Sequence, residues 1–244
     1  RRERRQFRMG CVAQVQPFLP ANLTVHSEQA LCDAAEIVDA CAAAIVILGV
    51  LLVAVRSIGR SIWMGALQSG LVGLAAVSVG LATGGGHLVF GGLLALGVKG
   101  IVIPLVLGSI LRRSSVRQER QPILDPRLAL IAAVAIVFAA SAAAEGVSSE
   151  TGIAARRVLP AAISLVLMGL LIVMTRRKAL SLVVGLLVFE NGIALAAFSL
   201  TYGMPLVIEL GVFFDLLVGT MTLLILVYRI RETFDSMDVS KLRK

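Results

Sequence analysis

Soft metal ligands are scarce in this 244-residue chain, which has three cysteines (Cys11, Cys32, Cys41) and two histidines (His26, His87). No two cysteines stand at CxxC spacing, and the histidines lie far apart. Haem, iron–sulfur and structural zinc sites need denser sets than this. A glycine-rich phosphate loop and a nucleophile motif are also missing, and Gly84-Gly85-Gly86 reads as a flexible turn. These absences argue against a catalytic, metal or cofactor site within the chain, so no cofactor of its own is expected.

Apolar residues are abundant. They make up 58% of the chain, with a mean hydropathy of +0.92, against about 45–50% in soluble domains. A spanning helix needs about 20 mostly apolar residues. Seven stretches qualify: 34–55, 61–82, 87–111, 126–144, 159–175, 179–200 and 205–228. The expectation is an all-α polytopic membrane protein of about seven transmembrane helices, with no room for a sizeable soluble domain.

A net charge of +8 would suit nucleic acid, but its distribution points to a bilayer instead. With seven spans, one face receives Arg56 and Arg60, the Arg112–Arg127 cluster, Arg176–Lys178 and the basic C-terminal tail. That is about twice the Lys and Arg of the other face, which has Arg156, Arg157 and the N-terminal arginines. The excess predicts a cytoplasmic C-terminus. The arginine-rich start conflicts with that orientation, and taking Met9 as the first residue removes the conflict. No signal-peptide cleavage pattern follows it.

Against this apolar background three ionisable residues lie at mid-span: Glu190, Asp215 and Lys99. A charge at the bilayer centre costs roughly 2.5–3.5 kcal/mol on the lenient insertion scales, so such residues tend to be functional. Gly211, Asp215, Gly219 and Thr222 share one helical face, where small residues admit a neighbouring helix or water. Glu190 shares a face with Leu186, Ala194 and Ala197. A buried carboxyl loads and releases a proton when a nearby charge shifts its affinity, and Lys99 is the natural charge to do this. The relay candidates are therefore Glu190, Asp215 and Lys99, with Gln68, Asn191 and Thr222 as supporting polar groups. The structural alternative is a simple salt bridge to Lys99, and Gln68 reads best as a helix–helix hydrogen-bond donor.

The polar interruptions also align internally. Gln68-Ser69-Gly70 sits in the second span as Glu190-Asn191-Gly192 sits in the sixth. Each precedes a short turn without Lys or Arg, and then a helix carrying Lys99 or Asp215. Two parallel three-helix units joined by one helix would give this pattern, although shared helix spacing also produces such matches. The division read from it is an N-terminal extension (1–33), a first membrane unit (34–111), a basic loop with a connecting helix (112–158) and a second unit with a tail (159–244). Pro126, Pro160 and Pro205 fall near expected helix starts. Pro104, five residues after Lys99, falls inside a span and predicts a kink.

The run RRKALSLVVGLLVFENGIALAAF, the Asp215 helix and the tail YRIRETFDSMDVSKLRK resemble the small K-type subunit of respiratory complex I. The chain is still more similar to the hydrogenase-4 component E family, with Gln68-Ser69 and Lys99…Pro104 matching that family's early helices; the resemblance covers about 56–244. It implies a non-catalytic membrane subunit of a complex I-related [NiFe] hydrogenase of the formate hydrogenlyase type, in a bacterial or archaeal cell membrane. Glu190 matches the family's buried glutamate, and Asp215 stands where the K subunit has a second one. The implied partners are antiporter-like membrane subunits and a quinone-site-type anchor subunit, with nickel–iron and iron–sulfur subunits reached indirectly. The rival readings are a small subunit of a multisubunit cation/proton antiporter and a purely structural membrane subunit.

Overall fold

The protein is described by a computed structural model over residues 25–113, 124–147, 153–176 and 178–200. The elements in that range are helical: α1 (Val25–Ala54), α2 (Ile58–Thr83), α3 (Gly86–Leu94), a π-helical segment (Ala95–Val102), α4 (Ile103–Arg113), α5 (Pro126–Val147), α6 (Ile153–Thr175) and α7 (Ala179–Leu200). In lipid no water satisfies backbone N–H and C=O groups, so apolar runs of this length close their hydrogen bonds internally as helices.

Among the described residues five helices are long and apolar enough to cross a membrane: Cys32–Ala54, Ile58–Ala82, Leu88–Ser109, Pro126–Glu145 and Val158–Thr175. A sixth apolar stretch, Leu180–Ala196, is shorter. These match the first six expected spans; the seventh, 205–228, lies outside the described residues. The first helix also begins earlier than expected, at Val25, within the stretch read as an N-terminal extension. Large apolar side chains face outward, among them Ile131 and Phe138 on α5, as befits helices meeting lipid.

α2 is the central helix. It packs on α1, on α7 and on the α3–π–α4 helix, while α6 pairs most extensively with α7 and also touches α1 and α5. The turn after α2 needs glycine: Gly84 caps the helix at φ 70°, in the left-handed region. Two contacts are close because glycine brings backbones together. A Cβ on Gly73 would lie 2.8 Å from the Gly92 carbonyl, and one on Gly192 would lie 2.6 Å from the Val166 nitrogen.

The prolines behave differently from one another. Pro126 opens α5, where its missing N–H costs nothing. Pro160, expected near a helix start, instead lies inside α6, because the helix extends back through Arg156 and Arg157 to Ile153. Near Pro104 the third span runs on without interruption, and the preceding turns widen to π geometry, with Ile103 N–H donating to the Val98 carbonyl. At the membrane rim Arg176 joins two hairpins. Its Nη2 donates to the carbonyls of Val53 (2.7 Å) and Val55 (2.8 Å), satisfying acceptors at the end of α1.

Gly192→Ala is expected to cost about 1–3 kcal/mol by overpacking, because backbone atoms of α6 cannot yield. Gly97, which has open space around its Cβ position, serves as the control. Melting temperatures of the two alanine variants in detergent should separate, with Gly97→Ala close to wild type.

Candidate functional site

Three elements bring polar side chains to one depth of the bundle. α2 supplies Gln68 and Ser69, α7 supplies Glu190 and Asn191, and the π segment supplies Lys99; all five are buried. Lys99 Nζ lies 3.1 Å from Glu190 Oε2, with the two side chains only 3% and 1% exposed. The contact is an ion pair by distance and does not meet hydrogen-bond angles at Oε2. The helices carrying the two charges each pack on α2 and make no extensive contact with one another, so the pair spans the groove between them. The π segment lies against α2 at small residues, with the Cβ position of Gly100 4.0 Å from the Gly70 Cα.

Lys99 owes its direction to the π segment. An i→i−5 helix has more residues per turn than an α-helix, so it turns each successive side chain by a smaller angle. π turns are rare and concentrate at functional sites. Gly97 and Gly100 lie within this segment, and Pro104, which cannot donate to the helix ladder, follows it directly.

Next to the ion pair is a neutral cluster. Ser69 Oγ donates to Asn191 Oδ1 at 3.1 Å, and Asn191 Nδ2 donates back to Ser69 Oγ at 3.0 Å. Nδ2 also approaches Gln68 Oε1 at 3.5 Å, and Gln68 Nε2 donates to the Ile45 carbonyl on α1 at 3.0 Å. Gly49 lies close by on α1, where a Cβ would meet Met168 Sδ at 2.9 Å. Charges and amides thus form one polar layer from the third span, across α7 and α2, to α1.

Of the residues singled out in the sequence, Lys99, Glu190, Gln68 and Asn191 are brought together here. Asp215 and Thr222 lie outside the described residues. Sequence reasoning quoted Ser69 but did not select it, and it did not find the Ile45 carbonyl or the π register. The alignment of Gln68-Ser69-Gly70 with Glu190-Asn191-Gly192 held the signal for Ser69, because the two motifs meet in space. Among the described residues no group of three His, Cys, Asp or Glu side chains is placed to hold a metal ion.

No family model matches the chain, and no solved structure is significantly similar to it. It is 30% identical over 210 residues to the uncharacterized protein Rv0085 of Mycobacterium tuberculosis, an alignment covering 85% of this chain and 95% of that one. The chain belongs to the Rv0085 family. A more distant similarity, 23% over 144 residues, links it to hydrogenase-4 component E of Escherichia coli K12, covering 59% of this chain and 67% of that protein. The Shigella flexneri protein of the same name matches to the same extent. The second link is thus to proteins named as a component of hydrogenase-4.

Breaking a buried ion pair by removing one partner typically costs 3–5 kcal/mol, because the other charge stays buried, whereas replacing both is far milder. Glu190→Gln and Lys99→Met should therefore each lower stability more than the double variant does. Thermal unfolding of the four proteins in a double-mutant cycle checks this.

Proposed function

We propose that this chain is a non-catalytic membrane subunit of a complex related to hydrogenase-4, and that Glu190, Lys99 and Asp215 contribute to redox-coupled proton translocation. The observation that carries the reading is the buried Lys99–Glu190 pair at mid-span. Its support is the adjoining polar layer and the distant similarity to hydrogenase-4 component E. The chain would lie in a cell membrane with its C-terminus in the cytoplasm. Its neighbours would be antiporter-like subunits and a quinone-site-type anchor, with nickel–iron and iron–sulfur subunits reached through them. The three-helix units 34–111 and 159–244 would face each other across α2 and α7.

The chemistry follows from charge balance. Ammonium and carboxylate together are neutral. A proton delivered to Glu190 turns the carboxylate into a carboxylic acid and leaves the site with one net positive charge. That charge is costly in a low-dielectric interior, so it favours release of a proton onward or movement of the ammonium. A distance of 3.1 Å makes the two groups respond to one another directly. Asn191 and Gln68 can orient polar groups beside the pair without adding charge.

A salt bridge that only fastens helices is the competing reading, and the same ion pair favours it. The two make different predictions in the assembled complex. Glu190→Gln keeps the shape and removes the titrating group, so protons moved per electron should fall several-fold while electron transfer by the partner subunits persists. Inside-out membrane vesicles with a pH-sensitive dye measure both. Unchanged coupling in Glu190→Gln would sink the relay role and leave the clamp. Purification of the tagged chain in mild detergent with mass spectrometry of its companions tests the complex itself. Nickel–iron and iron–sulfur subunits are expected, and antiporter-like subunits alone would move the assignment to cation/proton exchange.

A further inference from the structure

Away from the polar layer, a shallow pocket opens at the membrane rim where α1 and α6 end and α5 begins. Arg56, Arg176, Thr175 and Pro126 line it, together with Val53 and Leu124. The Arg176 side chain is nearly buried, and its guanidinium is held in place by the Val53 and Val55 carbonyls. Arg56 is different: its side chain is 51% exposed and meets Asp125, itself 63% exposed, at 3.4 Å. Ion pairs this open to solvent contribute little, so Arg56 can be taken by another anion at small cost. The positive end of the α5 dipole lies at the same rim, at Pro126, with Ala129 N–H donating to the Asp125 carbonyl. Leu51 in the last turn of α1 and Leu128 in the first turn of α5 are exposed at the same helix ends.

Two guanidinium groups, a helix N-terminus and an adjoining apolar surface describe a receptor for a phosphate group carried on an acyl chain. Basic pockets between membrane helices are established headgroup sites. We propose that this pocket binds the phosphate of an anionic phospholipid, with Arg56 exchanging Asp125 for phosphate oxygens beside the fixed Arg176. The shared chemistry is a phosphate anion, and the exposed leucines favour the lipid over the free ion. Arg forms forked, charge-assisted bonds to phosphate that Lys cannot reproduce fully.

The test uses the full chain in its complex, in neutral detergent, with short-chain phosphatidylglycerol, phosphatidylcholine or inorganic phosphate added. Melting temperature and native mass spectrometry of retained lipid are the readouts. Phosphatidylglycerol should bind and stabilise, and phosphatidylcholine much less. Arg56→Gln should weaken phosphatidylglycerol binding about tenfold, and Arg56→Lys should restore part of it. Asp125→Asn removes the competing carboxylate and should tighten binding, the opposite of what loss of a purely structural pair would do. Equal stabilisation by inorganic phosphate would keep the anion site and assign it to the free ion. No difference between the two lipids, or unchanged binding in Arg56→Gln, overturns the proposal. Arg176→Gln also removes the cap on α1, so Arg56 and Asp125 are the deciding positions.

Discussion

The rest of the bundle is arranged around one electrostatic constraint: Lys99 and Glu190 are both withdrawn from water and lipid, and lying side by side offsets part of the cost of burying each. That requirement explains several otherwise separate features. The third span must bring Lys99 to within 3.1 Å of a carboxylate on a helix it does not pack against extensively. It does so by packing tightly on α2 through Gly73 and Gly92 and by widening into π turns at the lysine itself. α7 in turn is held against α6 through Gly192, which leaves its polar face toward α2. Small residues and an irregular helix are the structural means of meeting the charge requirement.

The neutral cluster beside the pair follows a different logic. Serine, asparagine and glutamine in a membrane interior each need partners, and they find them in one another and in a main-chain carbonyl of α1. The reciprocal Ser69–Asn191 bonds join the Gln68-Ser69-Gly70 segment of α2 to the Glu190-Asn191-Gly192 segment of α7. Polar layers of this kind are specific because every group must be satisfied at once. The layer therefore fixes the register of α1, α2 and α7, and so fixes where the adjoining ion pair sits. At the membrane rim the same accounting applies, with Arg176 satisfying the carbonyls where α1 ends.

Membership of the Rv0085 family and the distant similarity to hydrogenase-4 component E accompany a bundle of long apolar helices. The buried polar layer and the arginine-lined rim occupy separate parts of that bundle.

By itself the sequence determined the helical membrane class, six of the spans within a few residues, and the ionisable positions at mid-span. Apolar runs of helix length in lipid have only one way to satisfy their backbones, and a buried charge stands out in any such run. It did not determine which charges meet. Lys99 and Glu190 are far apart in sequence, and Lys99 could equally have paired with Asp215 as far as composition and depth were concerned. Nor did it reveal the π segment, since the register of a helix depends on what its side chains must reach; Pro104 marked the place but not the outcome. Pro160 was misplaced for a related reason: helix ends in this protein are set by packing and by the rim as much as by local signals. Tertiary structure decided the pairing, because only the packing of both the third span and α7 on α2 makes one lysine and one glutamate neighbours.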